Sequence, residues 1–324
     1  MINSGAYTKQ NLGFATGTRS LESIVGRFLK RFLQNHGDPD TYQTETYFSS
    51  LLRQARTSKN KTSKRYTDEA LKKLPTKVST EKPLEIKDRS GVVLGYRFRL
   101  PIQLVEQLEE SERHLPPLTT SKKHKRGSYA VRHYAHWADY NKNVFTSSDY
   151  KNQKKDADKW FEANKALFDY LGNFLRMYNP EMWVTMTKSI SDASGGRLSG
   201  LAGPWHGVAI GQGMGSEGGE NHQDWRDRQS VFNAVVPFGA GGWKGGEVVL
   251  WQLGIKVAVE RGDCFMFRGA VIAHKACAIT EGHRNFVDLF CHQSVWDVRN
   301  RKREESDKPY WIDTRKVCFM FSYT

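Results

Sequence analysis

Short apolar runs closed by turn residues fill the C-terminal half of the chain. Residues 230–238, 247–252, 255–259, 263–268, 271–273 and 285–292 concentrate Val, Ile, Leu, Phe and Met, and G-G, L-G and R-G-D turns separate them. That spacing predicts an all-β barrel or jelly roll, whose inner face can gather side chains from strands far apart in sequence. Upstream the apolar period becomes that of a helix. In residues 20–34, Leu21, Ile24, Val25, Phe28, Leu29, Phe32 and Leu33 share one face, with Ser20 as N-cap and Gly37 beyond the end. Residues 42–55 and 67–74 predict two further helices. Residues 84–87 and 92–100 predict a hairpin around D-R-S-G, followed by a helix that Pro101 can start. One long helix is expected over 155–178, stopped at Asn179 and Pro180 and covering the sheet with Trp160, Leu167, Leu171, Phe174, Leu175 and Tyr178. The glycine-dense stretch 195–219 reads as a mobile loop beside the site. The fold class is therefore α+β, with a boundary near Pro83 between a basic helical N-terminal extension (1–83) and the barrel domain (84–324).

Within the barrel region stands H-Q-D at His222, Gln223 and Asp224. Residues two apart on a strand point the same way, so His222 and Asp224 can hold one ion between them. By itself such a triplet also arises by chance among solvated loop residues; the strands around it strengthen the reading as a metal site. His274 can supply a third ligand. Two imidazoles and one carboxylate on one face of an octahedron leave three positions open, the facial triad of non-haem Fe(II) oxygenases. A bidentate 2-oxo acid and O2 would fill them. The acid's distal carboxylate then needs a fixed cation with paired donors, and Arg284, ten residues after His274, is the candidate. His133 and His136, in Y-A-V-R-H-Y-A-H-W, are read as packing residues because the triad is complete without them.

A chain of 324 residues with 38% hydrophobic content can bury a sizeable core. No apolar run approaches the roughly 18 to 20 residues of a membrane span, and a soluble intracellular protein without membrane contact is expected. Cys264, Cys277, Cys291 and Cys318 lack C-x-x-C spacing, so neither a disulfide framework nor a zinc module is indicated. The 49 basic against 35 acidic residues leave +14, which points to a polyanion partner, although basic surfaces also serve solubility. The charge is clustered. One run holds Arg53, Arg56, Lys59, Lys61, Lys64 and Arg65, a second Lys122, Lys123, Lys125 and Arg126, and a third Arg299, Arg301, Lys302 and Arg303. The second and third flank the barrel, and such patches suit phosphate contacts.

The run G-G-E-V-V-L-W-Q-L-G-I-K-V-A-V-E-R-G-D-C-F-M-F-R-G (245–269), with His274 and then G-H-R-N-F-V-D-L-F-C-H (282–292), resembles the TET/JBP branch of the 2-oxoglutarate/Fe(II) dioxygenases. In pattern it is closest to fungal TET-like DNA oxygenases, over about residues 84–292. The resemblance implies a double-stranded β-helix (jelly-roll) catalytic domain flanked by helices that uses Fe(II), 2-oxoglutarate and O2. It implies that Phe290 stacks on a flipped base whose polar edge Asp227 and His292 hold, with His206 a second contact to the co-substrate. The substrate implied is 5-methylcytosine in DNA, then N6-methyladenine, with thymine or methylated RNA open. A catalytically idle DNA-binding module and a jelly-roll isomerase or hydrolase are the alternatives. A monomeric, nuclear protein is expected. The cysteine-rich zinc region of animal TET enzymes has no counterpart. Phe286 and Asp288 stand where the family tends to carry a small polar and an apolar residue, which leaves the fine contacts to 2-oxoglutarate and the preferred base open.

Overall fold

The computed structural model describes residues 21–57, 66–117, 130–138, 143–212 and 218–306. The chain begins with α1 (Leu21–His36), β1 (Asp40–Gln43), α2 (Phe48–Thr57), α3 (Asp68–Lys73) and β2 (Thr76–Lys77). A hairpin, β3 (Leu84–Lys87) and β4 (Val93–Arg99), leads to α4 (Ile102–Arg113), β5 (Ala130–Ala138) and β6 (Val144–Thr146). Four helices follow: α5 (Ser148–Asn152), α6 (Lys154–Ala163), α7 (Lys165–Tyr178) and α8 (Pro180–Ser194). The rest is β7 (Gly207–Gln212), β8 (Asn233–Phe238), β9 (Lys244–Gly245), β10 (Val248–Leu250), β11 (Ile255–Val257), β12 (Asp263–Phe267), β13 (His274–Ala276), β14 (Ile279–Glu281), β15 (Asn285–Phe290) and α9 (Gln293–Ser306).

From β7 to β15 the chain crosses back and forth between two sheets. β7, β8, β12 and β15 lie in the larger sheet in the order β12-β8-β15-β7, while β10, β11 and β13 lie in the smaller in the order β13-β10-β11. His222 bridges His274 of β13, so the segment between β7 and β8 also joins the smaller sheet. Every one of these pairings is antiparallel. That alternation is a double-stranded β-helix, as the resemblance implies, and its edges are extended by β4, β3 and β1 on one side and β5 and β6 on the other.

The two faces of the larger sheet pack against different partners. Val208, Ile210, Ala234, Val236, Val287 and Leu289 point to the helical layer, where Leu167, Phe168, Leu171, Phe174 and Leu175 of α7 meet them. The Phe98 and Phe174 rings stack with centroids 3.8 Å apart. Val235, Phe265 and Phe267 point the other way, into the barrel, with Val248, Leu250, Ile255 and Val257 of the smaller sheet. Pro237 lies near the end of β8, where the register with β12 has already stopped at Val235 and only β15 still pairs with the strand.

Several sequence expectations need correction. The residues before Pro83 also contribute strands, and they pack on the barrel domain. β1 pairs in parallel with β3, β2 pairs with β11, and Phe32 of α1 is 2% exposed against Phe98, Phe174 and Tyr178. The helix expected over 42–55 starts only at Phe48, whose N–H is capped by Asp88 of the hairpin turn at 2.7 Å. Burial favours the neutral acid, yet the N–H groups of Phe48, Ser90 and Val92 and the Ser90 hydroxyl outweigh it and hold Asp88 below the usual carboxylate range. The long helix over 155–178 breaks at Asn164, whose buried amide donates to Ser111 Oγ at 2.7 Å and to Trp160 O at 2.8 Å. Residues 271–273 form a buried turn rather than a strand, with the Val271 and Ile272 N–H groups on Arg268 O. In the glycine-dense stretch, β7 is a central strand and Trp205 is fully buried, its indole N–H on Phe232 O at 2.8 Å.

If α1 belongs to the common core, Phe32→Ala should cost about 3 to 5 kcal/mol of unfolding free energy in urea denaturation. A loss below about 1 kcal/mol would show that the helix merely rests on the surface.

Candidate metal centre and pocket

His222 and His274 exchange both backbone hydrogen bonds, His222 N to His274 O at 2.9 Å and the reverse at 2.8 Å. This pairing sets their rings 4.3 Å apart, centroid to centroid. Each Nδ1 faces a carbonyl two residues upstream, Glu220 O at 2.7 Å for His222 and Ile272 O at 2.8 Å for His274. Nδ1 therefore carries the proton in both rings, and each Nε2 presents its lone pair to the space between them. Asp224 enters that space with Oδ1 3.7 Å from His222 Nε2 and Oδ2 3.5 Å from His274 Nε2. One ligand atom from each residue lies within 4.8 Å of the others. The donors fit Fe(II), and 2-oxoglutarate with O2 fits the positions left open. Gly269 makes room for the carboxylate. It accepts the Asp224 N–H at 3.0 Å, and a Cβ there would stand 2.6 Å from Asp224 Oδ2.

Arg284 precedes β15 and is 4% exposed. Burial pushes its guanidinium down to about 10, with Cys277 and Glu247 opposing the shift. One of its NH groups donates to Gly246 O. Gly246 has φ +78°, and a Cβ there would come within 2.6 Å of the guanidinium. Along β15, Arg284, Phe286, Asp288, Phe290 and His292 share one face, opposite the helix-packed Val287 and Leu289. The Phe286 ring lies across Gly211 of β7, where a Cβ would be 2.2 Å from it.

Phe290 clusters with Ala135 and Ala209, flanked by Val131 and Trp137. Trp137 meets His292 edge-on at 4.7 Å and Phe290 at 5.9 Å, and His133 lies 6.4 Å from Phe290. Asp227, 8% exposed, bridges His292 through the backbone and accepts from Asn233 Nδ2 at 2.8 Å. Asn233 also reaches Asp224 at 3.4 Å, tying the metal ligand to the pocket wall. His292 is lowered to about 4 by burial, then by the charges of Arg226 and His133, so its imidazole is neutral. His133 and Trp137 pack around Phe290, and Asn233 joins Asp224 to Asp227; the sequence reading did not bring Trp137 or Asn233 to this place. The signal was the alternation of β5 itself, in which Val131, His133, Ala135 and Trp137 share a parity.

His206 is not placed for contact with a co-substrate. It is fully buried in the helical layer, with Nε2 2.7 Å from Ser189 Oγ and its ring stacked on Trp296. His136 is likewise buried on that side, as expected of a packing residue. Arg299 pairs with Asp192 at 2.9 Å and clips α9 to α8 rather than standing free for phosphate. Arg301, Lys302 and Arg303 continue α9 with side chains outside the described set, and Lys122, Lys123, Lys125 and Arg126 lie outside the described residues.

No protein-family model and no curated protein matches the chain. Among solved structures it is similar to NgTET1 in complex with 5mC DNA, at 16% identity over 82% of this chain and 91% of that one, with a TM-score of 0.49. It is similar to a collagen prolyl hydroxylase of Paramecium Bursaria Chlorella virus-1 in its 2OG complex, at 11% identity over 61% and 94% and a TM-score of 0.37. An oxidoreductase of the 2OG-Fe(II) oxygenase family from Burkholderia pseudomallei is 12% identical over 78% and 93%, with a TM-score of 0.36. The double-stranded β-helix is established by this chain's own strand order.

Proposed function

We propose that this protein is a 2-oxoglutarate/Fe(II)-dependent dioxygenase that binds duplex DNA, takes a methylated base into the barrel mouth and oxidises its methyl group. 5-Methylcytosine is the first substrate and N6-methyladenine the second; a nuclear location and a monomeric state belong to the same reading. The observation that carries it is the shared inward face of β15, which presents Arg284 at one end and the Phe290 cluster at the other, beside a triad linked to Asp227 through Asn233. Iron and 2-oxoglutarate, when bound, supply the oxidant that turns a methyl C–H into a hydroxymethyl group while O2 and 2-oxoglutarate are consumed. The chain's own groups do the rest. Arg284 holds the distal carboxylate in a desolvated pocket, where paired charge-assisted bonds are strong. Phe290 offers a flat face to a base removed from its stack, and the Asp227 carboxylate accepts from an exocyclic amino group, a donor on both cytosine and adenine. Neutral His292 can accept or donate without adding charge to the pocket.

Mass spectrometry of nucleosides, after incubation with Fe(II), 2-oxoglutarate and duplexes carrying each modified base, tests the substrate directly. Oxidised nucleosides from the 5-methylcytosine duplex are expected, and none from any duplex would overturn the DNA reading. In that assay His222→Ala, Asp224→Ala and His274→Ala should each abolish turnover while the circular dichroism of the fold persists. Retained activity would remove that residue from the ligand set.

Arg284→Ala should raise the KM for 2-oxoglutarate, because one partner of a buried charge pair is lost at a cost of about 2 to 5 kcal/mol. An unchanged KM would mean that another group anchors the co-substrate.

Phe290→Ala should lower turnover by removing a stacking contact of about 1 to 3 kcal/mol, and Asp227→Asn by replacing an acceptor oxygen with a donor. Affinity for unmodified duplex should barely move in either variant. Should both weaken that affinity as much as reversal of surface charges does, the pocket does not receive a flipped base.

A further inference from the structure

Alone among the described tryptophans, Trp225 stands exposed, at 47%. It sits at the tip of a β-turn closed by Asp227 N donating to Asp224 O at 2.7 Å, with Trp225 and Arg226 as the two central residues. The first residue of this turn is a metal ligand, and the fourth is the pocket carboxylate. Both ends are pinned. Asp224 N bonds Gly269 O at 3.0 Å, Arg228 N bonds Cys291 O at 2.9 Å, and Arg226 O accepts from Gln293 N at 2.8 Å. The Arg226 guanidinium lies 4.9 Å from the Trp225 ring centroid, and its charge also reaches His292 inside the pocket.

A single exposed indole is unremarkable in itself, but a rigid turn that presents an indole and a cation together at a pocket mouth selects among partners. The residues that follow it, Arg226, Arg228, Gln229 and Ser230, are polar, and the indole is in contact with the Arg226 guanidinium. A flat ring beside a guanidinium is what a nucleic-acid strand uses, one for a base and the other for a phosphate. The chain's charge of +14 favours the same occupant.

We propose that Trp225 stacks on the nucleobase next to the one taken into the pocket and that Arg226 holds the adjoining phosphate, so that this turn grips the strand whatever the methylation state. The inference rests on the reading of the pocket as a base-oxidising site. Fluorescence anisotropy with unmodified and methylated duplexes over a salt series tests it, using Trp225→Ala, Trp225→Phe and Arg226→Gln. Trp225→Ala should weaken both duplexes about tenfold or more with an unchanged salt slope, and Trp225→Phe should recover most of the loss. Arg226→Gln should lower the salt slope by about one. 2-Aminopurine placed beside the target base should be quenched by the wild type and not by Trp225→Ala, whose unfolding midpoint should match the wild type. Unaltered affinity in Trp225→Ala, or 2-aminopurine that ignores Trp225, would overturn the proposal. The two readings fail separately: a protein that oxidises no duplex but loses affinity with Trp225 refutes the pocket reading alone, and one that oxidises DNA with Trp225→Ala affinity unchanged refutes the turn alone.

Discussion

Two backbone hydrogen bonds between His222 and His274 are the constraint on which the site depends. They join the segment after β7 to β13, and in doing so close one edge of the smaller sheet and bring two imidazoles together in a single step. Each ring is then oriented by a carbonyl of its own strand, so the donor atoms are arranged before any ion arrives. Asp224 follows two residues after His222 and meets the pair only because Gly269 carries no side chain at that point. The metal centre is thus a consequence of strand pairing.

The last strand couples this centre to the rest of the core. Val287 and Leu289 are fully buried against the helical layer, while the alternate residues, from Arg284 to His292, face the barrel interior. A slip of one residue would exchange the two sets, burying Arg284 among the α7 side chains and emptying the pocket. Pairing on both sides, with β7 and with β8, makes such a slip expensive, since both ladders would have to move at once. Stability of the helical layer and geometry of the pocket are therefore specified by the same register.

Much of this was legible in the sequence because strands announce themselves by period and turns by glycine. The parity of Arg284, Phe286, Asp288, Phe290 and His292 could be read directly, and so could the two-residue spacing of His222 and Asp224. What escaped reading lies where tertiary contacts override local pattern. Asp88 supplies the cap that starts α2 at Phe48, across 40 residues of chain, which no local signal shows. Asn164 breaks a helix because Ser111, on another helix, offers its amide a partner. β7 was mistaken for a loop because its glycines mark close approach, to Ala135 at Gly207 and to Phe286 at Gly211, and not flexibility. His206 has the composition of a ligand, but its parity with Val208 and Ile210 sends it to the helical side. His133 stays outside the triad and packs beside Trp137 and Phe290, the side its parity on β5 gives it.

Net charge overstates what the described surface can offer a polyanion. Arg97 is 2% exposed and bonded to Val78 O, and Arg261 grips Glu109 through two donors at 2.7 Å. Arg268 binds the carbonyls of Val93 and Ser230 while lying over Phe232, and Arg299 is held by Asp192. These cations are committed to the fold, as buried charges must be if they are to keep partners. A cation that acts on a ligand has to be either enclosed at a site that the ligand itself completes, the place proposed for Arg284, or held at the surface by its backbone with the side chain outward. Arg226 is of the second kind. Its carbonyl is fixed by Gln293 and its guanidinium stays exposed over Trp225, so position is supplied by the turn and charge is left for a partner. A turn that fixes one outward cation in place constrains the position of a partner more than the sum of the chain's basic residues does.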